Sequence, residues 1–167
     1  GASLVLLGGV PGAGKTTFAL RLSRLLGAAH LESDALRREL FPVRTYEPAE
    51  HARVFAEMER RAAAALDSGQ GVIVDATNLR ERHRRRFLRL ADARDLPAVV
   101  VRLTAPEPEI RARLRGPRAG ASEATPEVYE RLREGAEPSR AACVTVDTRY
   151  PLEPSLHLVA ALLEAGR

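Results

Sequence analysis

Apolar and polar positions alternate in blocks along the whole chain. Residues 3–8 (Ser-Leu-Val-Leu-Leu-Gly) form the short apolar run expected of a strand covered on both faces. Phe18, Leu22, Leu25 and Leu26 then recur at helical spacing. A second short strand near 28–32 leads to a helix capped by Ser33 or Asp34 and stopped by Pro42. Pro48 suits a first helical turn, and Phe55, Met58, Ala62, Ala65 and Leu66 predict the buried stripe of a longer helix ended by Asp67-Ser68-Gly69. Val72-Ile73-Val74 predicts a strand ending on Asp75. The pattern continues with a helix over about 80–95, a strand over 98–103, a helix from Pro106 and loop composition over 115–125. A helix from Pro126 to about Gly135, a strand around 143–146 and a helix over 153–165 follow. Strands separated by helices predict right-handed crossovers and a parallel sheet covered on both faces, hence one three-layer α/β/α domain over residues 1–167.

Composition narrows the class. The 167 residues are 45% apolar and 29% charged, a balance that supports a packed core rather than disorder. No apolar run approaches the ~18 residues of a bilayer span. Gly1-Ala2-Ser3 reads as a trimmed start without a secretory signal, and the expected location is cytoplasmic. A single cysteine, Cys143, excludes an internal disulfide and a multi-cysteine zinc site, and its predicted strand makes it a core residue. His30, His51, His83 and His157 show no ligand spacing and are expected on the surface or in satisfied core positions. Of the 26 basic residues 25 are Arg, so the lone Lys15 marks a position where Arg does not serve. The net charge is +4, and residues 80–94 alone carry seven Arg against Glu81 and Asp92, so the basicity is one patch.

Chemistry enters at Gly9-Val10-Pro11-Gly12-Ala13-Gly14-Lys15-Thr16-Thr17, which satisfies G-x-x-x-x-G-K-[ST] between a buried strand and an amphipathic helix. Glycines there let backbone N–H groups converge on phosphate oxygens, with the positive helix end behind them. Gly9, Pro11, Gly12, Ala13, Gly14, Lys15, Thr16 and Thr17 are the candidate nucleotide-binding residues. Lys15 would place a compact cation on the β and γ phosphates and Thr16 a hydroxyl on Mg²⁺, so ATP and Mg²⁺ are the expected cofactors. Asp75 ends its strand as either a metal-holding acid or a strand-end cap. Asp34 is a helix N-cap, a general base toward an attacking hydroxyl, or both, and Arg37 shares its helix face.

Val-Asp75-Ala-Thr-Asn78 followed by Leu-Arg-Glu-Arg-His-Arg, with the phosphate loop and Asp34-x-x-Arg37, resembles the P-loop kinase group that holds polynucleotide 5′-kinases, zeta-toxin-like kinases and related small-molecule kinases. The Pro106-led helix with Arg111, Arg113, Arg115 and Arg118, then Ser122-Glu123-Ala124, looks like that group's lid. The resemblance covers nearly the whole chain. It implies a sheet of order 2-3-1-4-5, an arginine-bearing lid near 115–125, and transfer of the ATP γ-phosphoryl to a hydroxyl. It also implies Lys15, Asp34, Arg37 and Arg118 as catalytic residues, Arg113 near the nucleotide, and Thr16 and Asp75 at the metal. Which of Arg113, Arg115 and Arg118 fills each lid role stays open, because Gly116-Pro117 blurs the register. A second catalytic domain, frequent in polynucleotide kinases, is not expected.

Arg82, Arg85, Arg86 and Arg89 fall at i, i+3, i+4 and i+7, one helix face, while Phe87, Leu90 and Ala91 face the sheet. The row is either a track for a nucleic-acid backbone or a solvated face. Few aromatics are present to stack bases, and the segment Phe41–Tyr46 is the acceptor-side candidate. Asp147-Thr148-Arg149 borders the adenine or simply turns the chain. The main expectation is a polynucleotide 5′-hydroxyl kinase with a DNA or RNA partner. The alternative is a small-molecule kinase for a sugar, nucleotide sugar or antibiotic, and a non-transferring NTPase switch is a third class.

Overall fold

The computed structural model describes residues 1–9, 12–76, 80–106, 108, 111, 112, 115 and 143–166. Strand β1 (Leu4–Gly8) runs through its centre, because four consecutive apolar side chains can all be buried only where both faces are covered. Around it lie β2 (Ala29–Glu32), β3 (Val72–Asp75), β4 (Ala98–Thr104) and β5 (Cys143–Asp147), all parallel, in the order β2-β3-β1-β4-β5. That is the order the resemblance implies. The direction of winding changes at β1, so a crevice opens at the carboxyl ends of β1 and β3.

The two core layers follow from side-chain alternation along the strands. Val5, Leu7, Ile73 and Val101 pack on one face with Phe18 and Leu22 of α1 (Lys15–Leu26) and with Leu156, Val159 and Leu163 of α5 (Glu153–Ala165). Leu4, Leu6, Val72, Val74 and Val100 face the other layer, made of α2 (Ser33–Leu40), α3 (Pro48–Asp67) and α4 (Glu81–Asp92). Among the described residues no helix is long and apolar enough to cross a membrane.

Several expectations need correction. Glu32, in extended conformation, is the N-cap of α2, and neither Ser33 nor Asp34 caps it. β2 runs straight into the helix, so both residues are already in its first turn. Cys143 is exposed, because it opens an edge strand that has one neighbour instead of two. Leu25 is exposed on the outer face of α1, where Ala19 takes the buried position. The elements expected from Pro106 to Gly135, the lid near 115–125, and Val10, Pro11, Asn78, Arg113 and Arg118 lie outside the described residues apart from positions 106, 108, 111, 112 and 115.

Candidate active site

The phosphate loop leaves β1 through Gly9, whose φ is +151°. A Cβ there would sit 2.9 Å from the backbone oxygen of Leu103 on β4, so only glycine lets the loop cross the strand end this closely. Gly12 and Gly14 have φ of 88° and 85°, left-handed values that turn the chain into α1. Gly14 is the N-cap, no side chain caps the helix, and its first turn holds no acidic residue. The turn Lys15-Thr16-Thr17 thus offers N–H donors and the positive end of the dipole without an internal anion.

Strand register assembles the charges. Leu7 of β1 and Glu32 of β2 both stand beside Asp75, the last residue of β3. Asp75 is fully buried, and Lys15 Nζ donates to its Oδ1 at 2.5 Å while His30 Nε2 lies 2.8 Å from Oδ2. Burial pushes the Asp75 carboxyl up, but Lys15 and His30 outweigh it and hold the group below the usual range. Two nearby carboxyls shift the other way. Burial raises Glu32, reinforced by the charge of Asp75. Burial likewise raises Asp34, with Asp75 reinforcing and Lys15 opposing. Asp34 is in the first turn of α2, and its side chain makes no hydrogen bond among the described residues. One firmly ionised carboxylate beside a carboxyl held toward neutrality is an arrangement that can separate metal holding from proton transfer.

Three residues around Asp75 could hold a metal ion if Lys15 and His30 gave up their contacts to its carboxylate. His30, Glu32 and Asp75 offer ligand atoms within 4.8 Å of one another, and the buried Oε1 of Glu32 has no partner. With the Thr16 hydroxyl close by in sequence to Lys15, the set is rich in the oxygen donors that Mg²⁺ prefers.

One helical turn beyond Asp34, Arg37 is only 6% exposed and is turned onto α3. Its Nη1 donates to Glu50 Oε1 at 2.8 Å, its Nη2 is 3.2 Å from His51 Nδ1, and its guanidinium stacks 5.1 Å from the Tyr46 ring centroid. Glu50 also accepts from Thr45 N–H, Thr45 Oγ1 and Tyr46 N–H. Burial pushes the Glu50 carboxyl up, but these hydrogen bonds outweigh it and hold the group at about 2. They also fix Tyr46 at φ 57°, unusual for a non-glycine residue. His51, Phe55 and His83 stack beside them, with centroids 4.4 Å apart for Phe55 and His83 and 4.5 Å for His51 and Phe55. A cleft of about 260 Å³ opens there, lined in part by Tyr46, His51, Arg80, Arg82 and His83.

A family model described as an AAA domain matches residues 4–139. The chain belongs to the AAA domain family. Among solved structures this AAA domain is similar to a sugar kinase from Janibacter sp. HTCC2649 at 18% identity, covering 98% of this chain and 95% of that one with a TM-score of 0.74. It is similar to a gluconokinase from Sinorhizobium meliloti 1021 at 21% identity, covering 98% and 94% with a TM-score of 0.72. At these identities what is shared is the P-loop kinase fold. An uncharacterized protein of Mycobacterium tuberculosis is 38% identical over 86 residues, covering 44% of this chain. The match spans 17% of that protein's length.

In this AAA domain Lys15 and Asp75 meet, Asp34 lies close enough to feel both charges, and Arg37 contacts His51 and Tyr46, two of the residues that line the cleft. The row Arg82, Arg85, Arg86 and Arg89 is exposed, as its spacing predicts, with Phe87 and Ala91 buried behind it. Much of its charge is already matched: Arg85 pairs with Glu81 at 3.4 Å and Arg86 with Glu59 at 2.7 Å. Asp147-Thr148-Arg149 makes a tight turn in which Asp147 accepts from the Arg149 N–H and guanidinium. Sequence reasoning missed His30, Glu32, Glu50, His51 and His83. His30 and Glu32 were readable as one face of a strand leading into Asp34, by period-two alternation. Glu50, His51 and His83 carried no local signal, because their partners come from other helices.

Proposed function

We propose that this AAA domain is an ATP-dependent phosphotransferase that moves the γ-phosphoryl group to a hydroxyl of a small molecule. The observation that carries this reading is Asp34, a carboxyl shifted upward by burial, within the field of Lys15 and Asp75 and one helical turn before Arg37, which contacts the cleft-lining His51. Backbone N–H groups of residues 12–17 and the Lys15 ammonium would hold the phosphates, and Thr16 and Asp75 would hold Mg²⁺. Bound Mg²⁺ would supply charge neutralisation on the phosphate oxygens. In transfer the acceptor oxygen forms a new bond to the γ-phosphorus, the bond to the β-γ bridging oxygen breaks, ADP leaves, and Asp34 takes the hydroxyl proton. Arg37, tied to Glu50 and His51, acts as a positioning residue for the acceptor side. Arg118 and Arg113 are the lid cations that the family resemblance suggests.

Three observations favour a small acceptor. The cleft of about 260 Å³ is sized for one small unit. Glutamates pair two of the four arginines in the exposed row. The similar folds include a sugar kinase and a gluconokinase. The second reading, a polynucleotide 5′-hydroxyl, draws on the exposure of Arg82 and Arg89. Labelled ATP with Mg²⁺ and separate panels of sugars, polyols, sugar acids and a 5′-hydroxyl oligonucleotide decide between them. Label on a small alcohol supports the proposal. Label on the oligonucleotide alone, or on nothing, overturns it.

A further inference from the structure

Asp75 ends β3 fully buried, and each of its two oxygens is held by a side chain from another element. Lys15 Nζ, from the start of α1, is 2.5 Å from Oδ1, and His30 Nε2, from β2, is 2.8 Å from Oδ2. A carboxylate only accepts, so Nε2 of His30 carries the hydrogen and donates it. In phosphoryl transfer these two contacts have different fates. Lys15 is needed on the phosphates, and going there takes it off Oδ1. Nothing in the reaction calls His30 away from Oδ2. Strand register puts His30 where it can stay. β2 pairs with β3 so that His30 stands beside Ile73 and Glu32 beside Asp75, and Val5 and Leu7 of β1 continue the same two rows. His30 therefore belongs to the sheet face that α1 covers, in a row whose other members, Val5 and Ile73, are apolar and buried. A polar ring in that row has Asp75 as its partner, and the position of β2 at the sheet edge leaves it 16% exposed. The chain uses Arg for 25 of its 26 Lys and Arg positions, yet His stands here. An Arg would set a permanent cation beside a metal site, whereas an imidazole donates one N–H without a fixed charge. A remaining partner is also needed, because Glu32 and Asp34 both feel the charge of Asp75. Stripped of Lys15, the buried carboxylate stands among other carboxyls.

We propose that His30 is a positioning residue for the metal site: it holds Oδ2 of Asp75 while Lys15 leaves Oδ1 for the phosphates, so that Oδ1 is presented to the divalent ion of the bound nucleotide. The assignment rests on the phosphotransferase reading above for the places of Lys15 and the ion. It makes His30 the hydrogen-bonding support of a ligand and not a ligand itself. Of the two contacts that occupy Asp75, only that of Lys15 is then given up. Hydrogen bonds of this kind, made to a ligating carboxylate from behind, fix its orientation and are worth about 10–100-fold in metal affinity.

The test uses the whole chain saturated with the β,γ-imido analogue of ATP, with Mn²⁺ as the probe ion. Bound Mn²⁺ is read from the loss of the free ion's EPR signal, and calorimetry gives the affinity for the analogue without metal. His30→Leu keeps bulk and removes the donor, and is expected to weaken Mn²⁺ about 10–100-fold while metal-free analogue binding stays as in the wild type. His30→Gln, whose amide N–H reaches the place of Nε2, is expected to recover most of that loss. His30→Asn is polar but too short to reach Oδ2, so it is expected to behave as His30→Leu does, and it repeats the test if the leucine variant does not fold. Unchanged Mn²⁺ affinity in His30→Leu and His30→Asn would overturn the proposal. Equal loss of Mn²⁺ and of metal-free analogue, the mark of a merely structural residue, would do the same. So would a nitrogen coupling from His30 in the pulsed EPR of bound Mn²⁺, which puts the ring on the ion. Binding is read without turnover. The expected pattern in a chain that never phosphorylates an alcohol would leave the role of His30 standing and remove the kinase reading, whereas phosphorylation with no effect of His30 on Mn²⁺ would do the reverse.

Discussion

Replacing Glu50 by alanine removes the acceptor of four hydrogen bonds at once. Its Oε1 receives Arg37 Nη1 at 2.8 Å and Tyr46 N–H at 3.3 Å, and its Oε2 receives Thr45 N–H at 2.7 Å and Thr45 Oγ1 at 3.1 Å. The Arg37 and Glu50 side chains are 8% and 4% exposed, so water cannot readily replace the lost carboxylate. Breaking a buried pair from one side leaves an uncompensated charge and costs about 3–5 kcal/mol. At about 2–4 °C per kcal/mol for a chain of this size, the melting temperature should fall by roughly 6–20 °C. Glu50→Gln keeps the shape and one acceptor, and should lose about half as much. The double change Arg37→Met with Glu50→Leu should regain much of the loss, because the stranded charge is gone. Thermal and urea unfolding followed by circular dichroism measure all three, with an unchanged m-value showing that the folded state is comparable. A Glu50→Ala loss below about 1 kcal/mol, the range of a surface ion pair, would refute the claim that this pair is buried and organises the loop before α3.

Two further predictions concern the loop and acid stability. Gly9→Ala forces a Cβ to 2.9 Å from the Leu103 oxygen at a φ of +151°, so it should cost about 1–3 kcal/mol and weaken Mg·ATP binding, both measurable by ligand-dependent melting. His51 has its pKa lowered from 6.5 to about 4, so between those values the unfolded chain binds more protons than the folded one. Its contribution is therefore present above pH 6.5 and lost as the pH falls toward 4. Glu50, lowered from 4.5 to about 2, extends the loss below pH 4.5. Urea midpoints should fall continuously from pH 6.5 downward, and His51→Gln should flatten the upper part of that fall; a flat wild-type profile from pH 6.5 to 4.5 would contradict the assignment.

The parts legible in the sequence are those whose chemistry is local. A buried run, three glycines and Lys15-Thr16 specify the phosphate loop because backbone conformation and helix polarity act within a few residues. The apolar spacing of Phe55, Met58, Ala62 and Leu66 specifies the buried face of α3 for the same reason. The cap of α2 was misread because β2 enters the helix without an intervening loop, which no residue type signals. Cys143 was misread because its burial depends on being in an edge strand. The bond between Lys15 and Asp75 spans 60 positions, yet both ends were found, since each has its own motif. Arg37 with Glu50, and Phe55 with His83, join helices packed together only in the fold. Nothing near Glu50 or His83 in sequence announces a partner.

The central claim is that Asp34 receives the acceptor proton. Burial holds its carboxyl above the ordinary value of 3.8, so its charge is a cost to folding at neutral pH, and its removal should stabilise the protein. The direct measurement is single-turnover transfer from labelled Mg·ATP by the wild type and Asp34→Asn, alongside their ATP affinities and melting temperatures. Asp34→Asn should transfer about 10²–10⁴ times more slowly, bind ATP as the wild type does, and melt no lower. A variant that transfers at nearly the wild-type rate, or that loses activity only because it has lost its fold, would contradict the role assigned to Asp34.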